Sequence, residues 1–197
     1  MKRFLTLIFA LSLSTALFAA GSNPDVKLKA GVFEPPYMAP EFALRGSDGS
    51  DLTLSRYRGK LVLLVFGFTH CPEVCPTTLA TLAQARKALG AQADAVQVVY
   101  VTVDPERDDA GTIKKYLAVF DTSFIGGTGK LDVLAAMRKS YGVVAAKLGA
   151  PKDSGYGMNH STSVYLIDRA GRLRAMMPYG HAAQDFVHDA ALLLAAQ

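Results

Sequence analysis

Leu61-Val62-Leu63-Leu64-Val65-Phe66-Gly67-Phe68-Thr69-His70-Cys71-Pro72-Glu73-Val74-Cys75-Pro76 carries an unbroken apolar run into a polar segment with two cysteines. An apolar run of this length, rich in Val and Phe, reads as a strand buried on both faces. From Pro76 the period changes. Leu79, Leu82, Ala83, Ala85, Ala88 and Leu89 recur at helical spacing until Gly90 stops them. The cysteines therefore lie between a buried strand and the helix it feeds, the edge where α/β sheets gather their ligands. Unpaired N–H groups and the positive dipole end of that helix favour thiolate over thiol. Pro76 suits the first helical turn, where its missing N–H would have had no partner.

Working outward, Val96–Val103 is a second buried strand, ended by Asp104-Pro105. Both strands should point their C-terminal ends at one edge, which brings Asp104 toward the cysteines. Asp108–Phe120 reads as a helix that Asp108 begins, and Lys130–Tyr141 as another. Ser163–Ile167 and Arg172–Met177 flank Asp168-Arg169-Ala170-Gly171, a hairpin signal, and Ala182–Ala196 is a closing helix. Upstream, Glu41–Leu54 folds around Gly46–Ser50 as a further hairpin. Ser22–Pro40, with Pro24, Pro35, Pro36 and Pro40, is an extended lead-in. The order is that of an α/β, thioredoxin-like fold: a mixed central sheet flanked by helices, with an added N-terminal β-hairpin, over residues 41–197.

The chain has 197 residues, 50% hydrophobic and 19% charged. This excludes a disordered chain, a collagen-like repeat and a cysteine-rich mini-protein. The net charge of +4 includes Lys2 and Arg3, and no basic cluster follows, so nucleic acid is not an expected partner. Lys2 and Arg3 precede Phe4–Ala20, an uncharged stretch of 17 residues closed by Ala19, Ala20 and Gly21. Residues 1–21 thus read as a signal peptide or an N-terminal membrane anchor. Either sends the rest outside the cytoplasm, where a cysteine pair is oxidised unless something keeps it reduced.

Three readings of Cys71 and Cys75 stay open: a disulfide staple, a redox pair and a metal site. The staple closes too short a loop to stabilise much. A thioredoxin-type redox pair has two intervening residues, whereas this pair has three. A metal site needs another ligand. His70 should point away from Cys71, His188 lies mid-helix, and His181 sits in a turn before that helix. His160 stands in Gly155–Ser163, a glycine-rich loop entering a strand, where a thioredoxin-like fold packs a loop against the cysteine helix. Two thiolates and an imidazole select copper, zinc or iron. The lack of a fourth ligand argues against structural zinc. Copper accepts the set in both oxidation states. Of the methionines, Met137, Met176 and Met177 fall in periodic segments, leaving Met158 as the one to watch.

The chain resembles the Sco/SenC family. The likeness rests on Gly67–Pro76, on Thr102-Val103-Asp104-Pro105-Glu106-Arg107-Asp108 and on His160-Ser161 before a strand. The resemblance implies a copper chaperone for cytochrome c oxidase assembly, exported to the periplasm or the outer face of the inner membrane. It implies Cys71, Cys75 and His160 as copper ligands. Asp104 is a candidate for a second layer around them on its place at the strand end alone. The implied partners are the copper-bearing oxidase subunit, a copper donor and a thiol-disulfide reductant. A thiol-disulfide oxidoreductase using Cys71 and Cys75 alone is the alternative. Asn159 departs from the family pattern, which often has Asp before the histidine.

Overall fold

The computed structural model describes residues 27–149 and 155–196. The expected signal or anchor at 1–21 and the first residues of the lead-in lie outside them. The elements are β1 (Gly31–Met38), β2 (Ala43–Gly46), β3 (Asp51–Thr53), β4 (Leu61–Gly67), α1 (Val74–Leu89), β5 (Val96–Thr102), α2 (Ala110–Ala118), β6 (Ile125–Thr128), α3 (Leu131–Ser140), β7 (Ala145–Leu148), β8 (Gly157–His160), β9 (Val164–Ile167), β10 (Arg172–Met177) and α4 (Ala183–Ala195). Eight strands form one mixed sheet in the order β1-β10-β9-β4-β5-β6-β2-β3, and β7 pairs only with β8.

The two apolar runs form the sheet's centre. β4 and β5 are parallel, in register from Leu61↔Val96 to Gly67↔Thr102, and every residue of both is buried. Their alternating side chains feed two cores. Leu63, Val65, Val98 and Tyr100 pack with Leu79 and Leu82 of α1, Ile113 of α2 and Phe186 of α4. Leu64, Phe66, Val99 and Val101 pack with Leu134 and Met137 of α3 and with Leu44 and Leu52 of β2–β3. Each such fully buried Leu, Val or Phe is worth about 1.5–3 kcal/mol. The sheet is therefore covered on both faces, as a thioredoxin-like fold requires.

Several boundaries differ from the expectation. α1 begins at Val74, before Pro76, which puts Cys75 in its first turn. β6 was not expected: it is short, and its Gly126-Gly127 lacks β propensity. The glycines are there for space, since a Cβ on Gly127 would lie 2.6 Å from Leu52 Cδ2. The expected hairpin exists as β2–β3, and β2 also pairs with β6, joining it to the sheet. Gly31–Met38, inside the extended lead-in, pairs with β10 as an edge strand. Just before it, the buried Asp189 of α4 accepts from Lys29 N–H at 2.8 Å and Ala30 N–H at 2.9 Å.

Asp108 does not begin α2. Asp109 caps it, accepting from Thr112 N–H at 2.6 Å. The Asp108 side chain turns inward instead and is fully buried. Three donors from other segments compete for it more effectively than its own helix terminus does.

Candidate metal centre

The register of β4 against β5 places two loops side by side. Val103 N–H donates to Gly67 carbonyl at 2.8 Å, holding the strand ends together. Beyond this point Asp108 organises the approach to the cysteines. It accepts from Thr69 N–H at 2.9 Å, Thr69 Oγ1 at 2.6 Å and Thr102 Oγ1 at 2.7 Å. Thr69 is thereby fixed two residues before Cys71.

Cys71 is half-buried and Cys75 is buried, both as free thiols. Cys75 N–H, in the first turn of α1, donates to Cys71 Sγ at 3.3 Å. The Cys75 thiol behaves differently from the dipole expectation. Burial pushes its pKa well above the ordinary thiol value, and the Phe68 N–H only partly offsets this. Gly67 makes room for the sulfur. A Cβ there would sit 2.9 Å from Cys75 Sγ and 2.8 Å from the Tyr100 hydroxyl.

His160 closes the group from β8. Its Nε2 lies 3.5 Å from Cys75 Sγ. Nδ1 is 2.8 Å from Ser161 carbonyl, which assigns the proton to Nδ1 and leaves the Nε2 lone pair facing the sulfurs. The ring stands edge-on to Phe68 at 5.8 Å. Burial lowers the His160 pKa, with the Ser161 bond acting in the opposite sense, so the imidazole is neutral and ready to coordinate near pH 7. The three ligand atoms lie within 4.8 Å of one another, and among the described residues they form the one His/Cys/Asp/Glu group of this kind.

The other candidates have other partners. His70 is exposed, with Nδ1 3.1 Å from Thr69 Oγ1. His181 pairs with Asp185 at 3.1 Å and His188 with Asp189 at 2.9 Å. Met158 packs against the edge of the core. The Asp104 carboxylate is buried and engaged by Arg107 Nε at 2.5 Å and Tyr156 hydroxyl at 2.7 Å. Sequence reasoning gave no role to Arg107, Tyr156 or Gly67 and misread Asp108 as a helix start. The signal for Asp108 was the pair of hydroxyl residues, Thr69 and Thr102, standing at the ends of two strands destined to be neighbours.

Two thiols and an imidazole converging at the strand-to-helix junction define a thioredoxin-like domain with a soft-metal donor set. The chain belongs to the SCO1/SenC family, whose profile matches residues 33–195. It is 33% identical over 151 residues to the mouse mitochondrial SCO2 homolog, covering 76% of this chain but 59% of that protein. Copper-bound ScoI of Bradyrhizobium japonicum is 36% identical, with a TM-score of 0.73 over 80% of this chain and 99% of that one. Apo Sco1 of Thermus thermophilus is 33% identical, with a TM-score of 0.77 over 85% and 98%.

Proposed function

We propose that this protein is an exported copper metallochaperone. It binds one copper ion through Cys71, Cys75 and His160 and serves assembly of the CuA site of cytochrome c oxidase. The single observation that carries the reading is the convergence of two sulfurs and an unprotonated imidazole nitrogen within 4.8 Å. The copper-bound state of a relative with the same fold supports it. Cu(I) is satisfied by two thiolates, and Cu(II) gains from the added nitrogen. Among the described residues the set has three ligands, and a three-ligand set leaves a position through which the metal can be handed to an acceptor. The copper-bearing oxidase subunit is that acceptor, and a copper donor precedes it. Loading requires reduced thiols, so a thiol-disulfide reductant is a third partner in an oxidising compartment. The leader at residues 1–21 supports export to the periplasm, or tethering at the outer face of the inner membrane.

One observation favours a second reading. A half-exposed Cys71 that accepts an N–H bond beside a buried Cys75 also suits an attacking and a resolving thiol of a thiol-disulfide reductase. Anaerobic copper titration of the reduced protein separates the two. The chaperone reading expects one Cu(II) per chain with intense thiolate charge-transfer bands, lost in Cys71→Ala and His160→Ala. Absence of stoichiometric copper, with a disulfide that cycles readily and needs no His160, would establish the reductase instead.

A further inference from the structure

His160 sits on a two-stranded sheet that shares no strand pairing with the main sheet carrying the cysteine loop. The distance between imidazole and thiols therefore depends on the three-residue connection from His160 to β9 and on side chains that bridge the two sheets. Those side chains converge on the loop after β5. Asp104, wholly buried at its carboxylate, accepts from Arg107 Nε at 2.5 Å through one oxygen and from Tyr156 hydroxyl at 2.7 Å through the other. Arg107 Nη1 donates to Tyr156 carbonyl at 3.0 Å, and its guanidinium lies 3.7 Å from the centroid of the Tyr156 ring. Lys147 of β7 reaches the same ring at 4.7 Å and pairs with Glu106 at 2.6 Å. One loop thus grips β7 through Lys147 and the approach to β8 through Tyr156, the residue just before that strand. The same loop holds the cysteine segment, because Asp108 anchors Thr69.

We propose that Asp104, Arg107 and Tyr156 are positioning residues that hold His160 at the thiol pair and thereby set the preference for Cu(II) over Cu(I). The inference rests on the copper-site reading above. Its physical basis is the difference between the ions: two thiolates content Cu(I), whereas Cu(II) depends on the nitrogen. A carboxylate that accepts two bonds, and a planar guanidinium that donates while stacking, make the clamp directional in a way a lone charge is not. The contact is also partly desolvated, since Asp104 is buried and Arg107 mostly so.

Tyr156→Phe keeps the ring and removes the bond to Asp104, while Arg107→Lys keeps the charge and removes the fork. In the reduced full-length protein, each variant should lose roughly tenfold or more in Cu(II) affinity, the usual cost of removing a group that orients a ligand. Its Cu(II) charge-transfer and spin-resonance spectra should shift toward those of His160→Ala. Cu(I) affinity, measured by competition with a chromophoric Cu(I) chelator, should stay at the wild-type value. In the metal-free protein, amide exchange across Gly157–His160 should accelerate while that of Leu61–Gly67 is unchanged. Wild-type Cu(II) affinity and spectra in both variants would overturn the positioning role, as would equal losses for Cu(I) and Cu(II). A wild-type protein without thiolate–Cu(II) bands, or with bands that survive His160→Ala, would instead defeat the copper-site reading on which the role stands.

Discussion

Replacing Gly67 with alanine tests whether the packing behind Cys75 is as tight as its geometry requires. Gly67 ends β4 in ordinary strand conformation, so alanine meets no backbone obstacle there. On that ground alone Gly67→Ala would stabilise the fold by about 0.4–1 kcal/mol, by restricting the unfolded chain. The new methyl group decides the outcome. It would lie 2.8 Å from Tyr100 Cε2 and hydroxyl and 2.9 Å from Cys75 Sγ, closer than carbon, oxygen or sulfur can be packed. Tyr100 is fully buried and Cys75 is 2% exposed, so neither has free space to move into. Overpacking of this kind costs roughly 1–3 kcal/mol. The cost exceeds the backbone gain, and the net loss should lower Tm by roughly 2–8 °C for a domain of this size. A shift of either neighbour disturbs the site, because the Cys75 sulfur crowded by the methyl group is the one that faces His160 Nε2 at 3.5 Å. Cu(II) affinity should therefore fall by about tenfold or more, alongside the stability. Urea denaturation and copper titration of the same reduced sample check both. A Gly67→Ala protein as stable as wild type, with unchanged copper affinity, would refute the reasoning, because it would mean the sulfur and the tyrosine leave room for a methyl group.

Asp108→Ala should destabilise by about 1–3 kcal/mol, because the Thr69 N–H loses its acceptor while the Thr69 and Thr102 hydroxyls can reorient. Chemical denaturation measures it, and a loss under about 0.5 kcal/mol would show that this carboxylate does not organise the cysteine loop. Copper affinity should rise with pH, because binding displaces thiol protons and burial holds the Cys75 proton on the sulfur through neutral pH. The slope should approach tenfold per pH unit for each proton displaced. Burial lowers the His160 pKa, so that residue should add to the slope only below about pH 6.5. Affinity that is flat between about pH 6 and 8 would contradict thiol ligation.

Periodicity sufficed for the elements that make the frame. β4 and β5 announced themselves as apolar runs because they are buried on both faces. α1, α3 and α4 were legible from helical spacing, and the β9–β10 hairpin from Asp168 to Gly171. β6 and β1 were not. One is half glycine because side chains from neighbouring segments fill its space, and the other is a proline-bearing edge strand whose residues stay largely exposed. Neither pattern is written by a local rule. Asp108 was misread for a related reason: a carboxylate near a helix start is a cap by local chemistry, until three more distant donors claim it.

By itself the sequence determined the donor chemistry and its setting. Two cysteines four residues apart at a strand-to-helix junction, and a histidine just before the last hairpin, are choices of residue type that no folding detail alters. The sequence also singled out His160 among the histidines; tertiary structure alone decided which of its nitrogens faces the sulfurs and which thiol is buried. It also decided that Asp104 and Arg107 grip the hairpin bearing His160 through Tyr156. Those relations join residues 49 to 85 positions apart in the chain. Periodicity reports only on a residue's immediate neighbours, whereas hydrogen bonds and desolvation depend on groups that meet once the sheet has closed.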